Sequence, residues 1–344
     1  MKVLVTGGLG FIGSALVRLI LDESNDEVLN IDKCTYAAMP EALEGKELSQ
    51  NYNFQQVDIA DYEKIYQAIE QFKPNKIFHL AAESHVDNSI ENPSSFIKTN
   101  IIGTFNILQS IKELKDDLPN DFIMIHVSTD EVFGTLSFED NPFNEESPYS
   151  PNSPYSASKA SSDLLVRSWH ETYGIKAVIT NCSNNYGPWQ NPEKLIPKII
   201  FNALQGDDIP IYGTGKNIRD WLHVSDHVNA LLSVAKTNEI FSRYVIGGNQ
   251  EMSNINLTKM ICNYLDKVEP KSSSYFNQVK FTEDRLGHDL RYAIDASCIS
   301  NNLGFKPTYK LSQGIKATVD WYLNNKSYYK NLAKKDIVNR LGKI

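Results

Sequence analysis

Lys2-Val3-Leu4-Val5-Thr6-Gly7-Gly8-Leu9-Gly10-Phe11-Ile12-Gly13 opens the chain. Lys2–Thr6 is a short apolar run that reads as a buried strand, and the glycines follow it at once. From Gly13 to Glu23 the apolar spacing is helical. One glycine permits a tight turn, one lets backbone approach a diphosphate, and one allows the helix to pack close on the strand. A diphosphate would then sit at the positive end of the helix. The run is too short, and too soon broken by glycine, for a secretory signal.

The same alternation continues outward. Apolar runs at 28–32, 53–58, 76–81, 122–128 and 176–181 are separated by helical patterns at 62–72, 96–115 and 154–173. Near-continuous Val/Ile/Leu runs are the mark of parallel strands buried on both faces. The fold class expected is therefore α/β, a Rossmann-type doubly wound parallel sheet with a smaller mixed α/β lobe. Prolines and glycines crowd residues 182–219. A helix lies near 194–205, a strand-and-helix return covers 221–236, and a strand covers 243–247. The expected division is 1–181 plus 220–253 for the cofactor, and 182–219 plus 254–344 for the substrate.

Composition narrows the function. Of 344 residues 41% are hydrophobic, enough for a sizeable core, and the net charge of −8 carries no basic run to suit a nucleic acid. No stretch approaches the 18 or so apolar residues of a membrane helix. The four cysteines, Cys34, Cys182, Cys262 and Cys298, form no C-x-x-C pair, so neither a metal site nor a disulfide framework is expected. A reducing cytoplasm is the expected location.

Asp32 closes the second strand at the distance where a carboxylate accepts the hydroxyls of an adenosine ribose and repels a 2′-phosphate. The expected cofactor is NAD. Lys33 beside Asp32 leans toward NADP, but the carboxylate outweighs it. Gly7, Gly10, Phe11, Ile12, Gly13, Asp32, Lys33 and Thr35 make the near end of the expected cofactor site. Asp58-Ile59 falls where the adenine edge would lie. Leu80, Ala81 and Ala82 are small or apolar enough at the fourth strand's end for a ribose or phosphate to pass.

Tyr155-Ser156-Ala157-Ser158-Lys159 lies early in a helical pattern, so Tyr155 and Lys159 share one face at i and i+4. A free tyrosine titrates near ~10. A neighbouring ammonium, helped by a positive nicotinamide ring, would favour the phenolate and make it a base. On an isolated helix the pair would be an ordinary exposed Tyr and Lys. With the glycine loop upstream and Thr129 ending a strand, catalysis is the favoured reading.

These features together resemble the extended short-chain dehydrogenase/reductase family, whose members oxidise an alcohol with NAD. The resemblance implies that Tyr155 is the base, that Lys159 holds ribose and tunes Tyr155, and that Thr129 adds a hydrogen bond. Asp130-Glu131 goes further. An epimerase needs no added acid and base there, whereas loss of water does: one group takes the C5 proton and another protonates the departing C6 hydroxyl. Thr129-Asp130-Glu131-Val132-Phe133-Gly134 resembles the signature of the dTDP-glucose 4,6-dehydratase family. That implies conversion of dTDP-glucose to its 4-keto-6-deoxy form with loss of water. A UDP-glucose 4,6-dehydratase, a UDP-sugar 4-epimerase or decarboxylase, and a non-catalytic NAD-binding module are the alternatives.

The resemblance spans nearly the whole chain. It implies cofactor and sugar contacts from Ser84, cofactor contacts from Thr99 and Asn185, and a substrate contact from Asn184. Lys194, Leu195, Pro210, Tyr212, Arg219, Asn254, Arg285 and His288 are similar to positions that grip diphosphate and base. His288 lacks a second ligand at useful spacing, so no metal is expected. Asn88 stands where the family usually has Arg, Leu286 where it has Pro, and Cys34 where it has an aliphatic residue. Family members usually dimerise, and the 96–115 and 154–173 helices are the candidates for a homodimer.

Overall fold

Alternating buried strands and amphipathic helices build the first half of the computed structural model, which describes residues 1–237, 241–326 and 328. Residues 238–240, 327 and 329–344, which fall inside the expected 220–253 and 254–344 segments, lie outside the described residues. The chain begins β1 (Lys2–Thr6), α1 (Phe11–Glu23), β2 (Glu27–Asp32), β3 (Tyr52–Gln56), α2 (Tyr62–Phe72) and β4 (Lys76–His79). α3 (Val86–Glu91) and α4 (Pro93–Phe96) lead through a π-helical stretch, Ile97–Gly103, into α5 (Thr104–Glu113). β5 (Ile123–Thr129), α6 (Pro154–Tyr173) and β6 (Ala177–Cys182) follow. The remainder is β7 (Asn184–Tyr186), α7 (Leu195–Gln205), β8 (Ile209–Tyr212), β9 (Ile218–His223), α8 (Val224–Val234) and β10 (Phe241–Ile246). It ends with β11 (Glu251–Ser253), α9 (Asn254–Val268), β12 (Val279–Thr282), α10 (Ser297–Leu303) and α11 (Leu311–Asn324).

Among the described residues, one seven-stranded sheet has the order β10-β6-β5-β4-β1-β2-β3, parallel throughout. Side chains alternate across it, as strand geometry requires. Leu4, Ile77, Met124 and Ile179 pack on one face with Ile69 of α2, Leu108 of α5 and Val166 of α6. Val3, Val5, Ile125 and Val178 face the opposite core, with Leu16 of α1 and Leu231 of α8. The fold is thus Rossmann-type and doubly wound. Chain order reverses between β1 and β4, and the crevice beyond their carboxyl ends is where such sheets bind ligands.

The single helix expected at 96–115 is interrupted. The wide π turn shifts the register, and such turns recur at functional sites. Here it turns Asn100 inward, where its side chain accepts from Glu83 N (2.9 Å) and donates to Glu83 O (3.0 Å) and Ser158 Oγ (2.8 Å). The loop after β4 is thereby tied to α6.

Helix α6 starts where it must. Ser153 and Ser156 form a reciprocal capping box, Ser156 N donating to Ser153 Oγ at 3.1 Å and Ser153 N to Ser156 Oγ at 3.0 Å. Pro154 follows at the first helical position, and Gly174 ends the helix in the left-handed region at φ 67°. Loss of such a cap costs about 1 kcal/mol.

A second core gathers Tyr186, Ile199 and Ile200 of α7, Trp221, Ile261 and Leu265 of α9, and Ile315 and Val319 of α11. Two small sheets edge it, β11-β9-β7 and β12-β8. The two cores interleave along the chain. β9 straddles residue 220, and Tyr292, Ile294, Ile299 and Phe305 join the core of the large sheet. Among the described residues no helix is long and apolar enough to cross a membrane.

Candidate active site

One cavity runs along the carboxyl ends of the central strands. Its lining joins Gly7, Gly10, Phe11, Ile12 and Gly13 with Asp32, Lys33, Thr35, Asp58 and Ile59. Leu80, Ala81, Ala82, Ser84 and Thr99 continue it to Thr129, Asp130, Glu131, Tyr155, Lys159, Asn184, Asn185 and Lys194. Every residue expected to act in catalysis or to hold the cofactor therefore meets in one space.

The glycine loop could not be built otherwise. A Cβ on Gly13 would stand 2.1 Å from Gly7 O, and Gly7 has φ 75° with its would-be Cβ 2.7 Å from Ala81 N. Asp32 is buried at the end of β2, and each oxygen holds one backbone N–H, from Leu9 (3.0 Å) and Cys34 (2.8 Å). Burial raises its carboxyl above the ordinary value, and the N–H groups oppose that. The carboxylate keeps lone-pair capacity for a ribose hydroxyl. Lys33 is turned to Asp58 in a 2.8 Å ion pair, so its charge is already engaged. Asp58 sits beyond the end of β3, which stops at Gln56. Burial pushes its carboxyl up, but Lys33 and the Ala60 N–H outweigh burial and hold it below the usual range. The donor set and the space a Cβ would fill both suit an NAD-like dinucleotide.

Tyr155 and Lys159 are buried on the inner face of α6. Lys159 Nζ donates to Val127 O at 2.9 Å; burial lowers its ammonium, and Asp163, one turn further on, and Cys182 oppose that. Burial first, then Glu131 and Cys182, push the Tyr155 phenol well above its ordinary value, while a hydrogen bond with the Thr129 side chain draws it down. In the protein alone, then, Tyr155 is a neutral phenol, and a positive group beside it is needed to make it a base. Asp163 in turn accepts from Tyr149 OH (3.1 Å) and Asn181 Nδ2 (3.0 Å) and contacts His126 Nε2 (3.1 Å). Asn181 Nδ2 also donates to Thr129 O (3.1 Å), fastening α6 to the ends of β5 and β6.

The two acids differ in surroundings. Asp130 is 1% exposed, and its Oδ2 has no hydrogen-bond partner. Burial, then Glu131 and Asp220, raise it well above the ordinary carboxylate range. Glu131 is half-buried on the cavity wall. Burial raises it too, but Arg219, Lys194 and Arg285 all pull it down. Two unlike acids thus stand side by side.

The substrate residues divide. Ser84, Thr129, Asn184 and Lys194 line the cavity, Lys194 Nζ donating to Ser84 O at 2.8 Å. Leu195, Pro210, Tyr212, Arg219, Asn254, Arg285 and His288 do not line it. Leu195 begins α7 and packs on the second core, and Pro210 lies in β8 opposite Lys280. Arg219 is buried, its guanidinium on Asp289 O (3.0 Å) and Ile218 O (2.8 Å) and 4.3 Å from the Tyr292 ring. Asn254 heads α9, its Oδ1 buried without a partner. Arg285 pairs with Asp87 at 2.6 Å and lies 5.1 Å from the Tyr212 ring, and Tyr212 OH donates to Asp87 Oδ2 (3.1 Å). His288 Nδ1 meets Asp284 Oδ1 at 2.6 Å. Asn88 donates to Tyr36 OH at 3.0 Å, and Leu286 is exposed beside Gly287, which has φ 63°. Among the described residues no group of three or more His, Cys, Asp or Glu could hold a metal.

The cavity also takes in residues that the sequence did not signal. Cys182 ends β6 and Ser183 follows it, while Gln190, Asn191 and Glu193 lie on the loop before α7. Position at a parallel strand's end was the available clue for Cys182. The loop residues carry no local pattern.

The GDP-mannose 4,6 dehydratase family profile matches residues 4–318. A dTDP-glucose 4,6-dehydratase of Salmonella typhimurium is 49% identical over 344 residues, covering 96% of this chain and 95% of that protein. The crystal structure of a dTDP-glucose 4,6-dehydratase from Bacillus anthracis in complex with NAD superposes with TM-score 0.86 at 38% identity, covering 96% of this chain and 99% of that one. A UDP-glucuronic acid 4-epimerase from Bacillus cereus, in complex with UDP-glucuronic acid and NAD, gives 0.83 at 27%, covering 94% and 99%.

Proposed function

Since the chain belongs to the dTDP-glucose 4,6-dehydratase family, within the extended short-chain dehydrogenases, we propose how its own side chains divide the reaction. The enzyme is NAD-dependent and converts dTDP-glucose to dTDP-4-keto-6-deoxyglucose and water. We class it as a hydro-lyase. Bound in the cavity, NAD would supply positive charge and a hydride acceptor that also returns the hydride. Gly7, Gly10 and Gly13 would cradle its diphosphate, and Asp32 its adenosine ribose. Lys159 and Asn185 would hold the nicotinamide end.

Tyr155 takes the C4 hydroxyl proton, with Thr129 hydrogen-bonded to the phenol. Oxidation at C4 acidifies the C5 proton, and Glu131 removes it. Asp130 gives its proton to the C6 hydroxyl, the C6–O bond breaks, and water leaves. Glu131 then returns a proton to C5 as C6 is reduced. Lys194, Arg219 and Arg285 favour the anionic substrate through their charge. The observation that carries this reading is the pairing of fully buried Asp130 with cation-flanked Glu131 at the wall beside Tyr155. dTDP-glucose deuterated at C4, turned over in ordinary water, should yield product carrying that deuterium at C6. Product without it there would refute the scheme.

The exposed apolar surface supports a homodimer. Ile97, Ile102 and Phe105 on the 97–113 run and Leu164 and Tyr173 on α6 are exposed, and the two helices pack together. Removing such an apolar face from water is the driving force for pairing with a second copy. In light scattering the protein should have twice the chain mass. Leu164→Glu, an exposed site, should give the single-chain mass with an unchanged Tm, and a variant that stayed at double mass would refute this interface. The wide spacing of the cysteines supports a cytoplasmic enzyme.

A further inference from the structure

Two cations of the expected diphosphate site are held by one short stretch of the cofactor half. Lys194 Nζ donates to Ser84 O at 2.8 Å. Three residues on, Asp87 in the first turn of α3 takes the guanidinium of Arg285, which lies between β12 and α10. Asp87 Oδ1 is 2.6 Å from Arg285 Nε, and Arg285 Nη2 donates to Asp87 Oδ2 at 3.2 Å. Tyr212 OH donates to the same Oδ2 at 3.1 Å, and its ring lies 5.1 Å from the guanidinium. Two of the residues expected to grip the nucleotide thus share a carboxylate of the protein's own.

That pairing is close in charge but imperfect in direction. Arg285 Nε is buried and has no aligned acceptor, although Asp87 Oδ1 stands beside it. A guanidinium is best served by two parallel bonds to one anion, and Asp87 supplies one. A buried donor left unsatisfied costs free energy, so the pair is open to exchange for a better-placed oxygen. Neither side chain is sealed, Arg285 being 22% and Asp87 16% exposed. Arg285 is also near enough to the cavity for its charge to act on Glu131.

Chemistry gives such an exchange a use. Substrate and product carry the same nucleoside diphosphate, and the change falls on the sugar. A grip on the shared part is therefore uniform across the reaction. It lowers KM without helping the chemical step, and it slows release. A carboxylate that competes for Arg285 weakens the grip where both ligands are alike.

We propose that Asp87 is an internal counter-anion that competes with the nucleoside diphosphate for Arg285 and so speeds release of the product. On binding, a phosphate oxygen takes the guanidinium; on release, Asp87 takes it back. The proposal rests on the reading of Arg285 as a diphosphate residue.

Asp87→Asn keeps the shape and removes the charge. Calorimetry with the NAD-loaded variant and dTDP should show binding ~10-fold tighter than wild type, the scale of coupling between residues in contact. Stopped-flow displacement should place the gain in slower dissociation. Arg285→Gln should weaken dTDP binding, and adding Asp87→Asn to it should change nothing further, because the cation competed for is gone. Asp87→Ala gives the same sign if the Asn variant does not fold. Unchanged or weaker dTDP binding in the Asp87 variants would overturn the proposal, since an acid that only positions Arg285 loses affinity when removed. If Arg285→Gln alone binds dTDP as wild type does, the reading of Arg285 itself fails, whatever Asp87 does.

Discussion

Tyr155→Phe should lower kcat by ~10²–10⁴-fold, the range lost with a general base. The ring keeps its place, since the edge contact with Phe96 at 6.3 Å needs no hydroxyl. Folding and NAD binding should therefore survive, and Tm and the Kd for NAD report that directly. The loss should fall on the first chemical step. Quenched samples should contain unreacted substrate rather than a keto sugar. Activity should also fall with acidity, because a phenol pushed upward by burial and by Glu131 works only when a positive neighbour draws its proton off. A Phe variant with near wild-type kcat would remove Tyr155 from the chemistry.

Glu131→Gln and Asp130→Asn should stop the reaction one step later. Both should lower water loss by ~10²–10⁴-fold while leaving C4 oxidation possible. Mass spectrometry of quenched enzyme should then find a keto hexose nucleotide that still carries its C6 oxygen. The pH profile follows in sign. Elimination needs Glu131 ionised and Asp130 protonated. The rate therefore falls as acidity protonates Glu131, and again as alkali ionises Asp130. Burial raises both groups, so both limbs lie above the ordinary carboxylate range. The two acids influence each other, so each limb belongs to the pair. Glu131→Gln should erase the acid limb in what activity remains, and an unchanged limb would assign it elsewhere.

The parts of this site legible in sequence are those that local geometry dictates. The glycine loop needs residues without Cβ at fixed steps. Asp32 must end a strand, and Tyr155 and Lys159 must sit one helical turn apart. What escaped was set by distant packing. Lys33 reads as a free cation until Asp58, brought in by β3, takes its charge. The partner of Lys159 was not readable either, since Val127 O reaches it from β5. Glu193 and Gln190 reach the cavity on a loop positioned by the second core, which no short pattern encodes. The π turn at Ile97–Gly103 looked like plain helix because its apolar spacing is unbroken.

Strand β10 closes the large sheet against β6, yet more than fifty residues separate the two in the chain. During synthesis β6 must emerge from the ribosome with its outer edge bare, and an unpaired parallel edge invites wrong partners. The nascent chain is therefore most prone to clump between emergence of β6 and of β10. Any genetic split of this enzyme into two coexpressed halves would have to keep that interval intact.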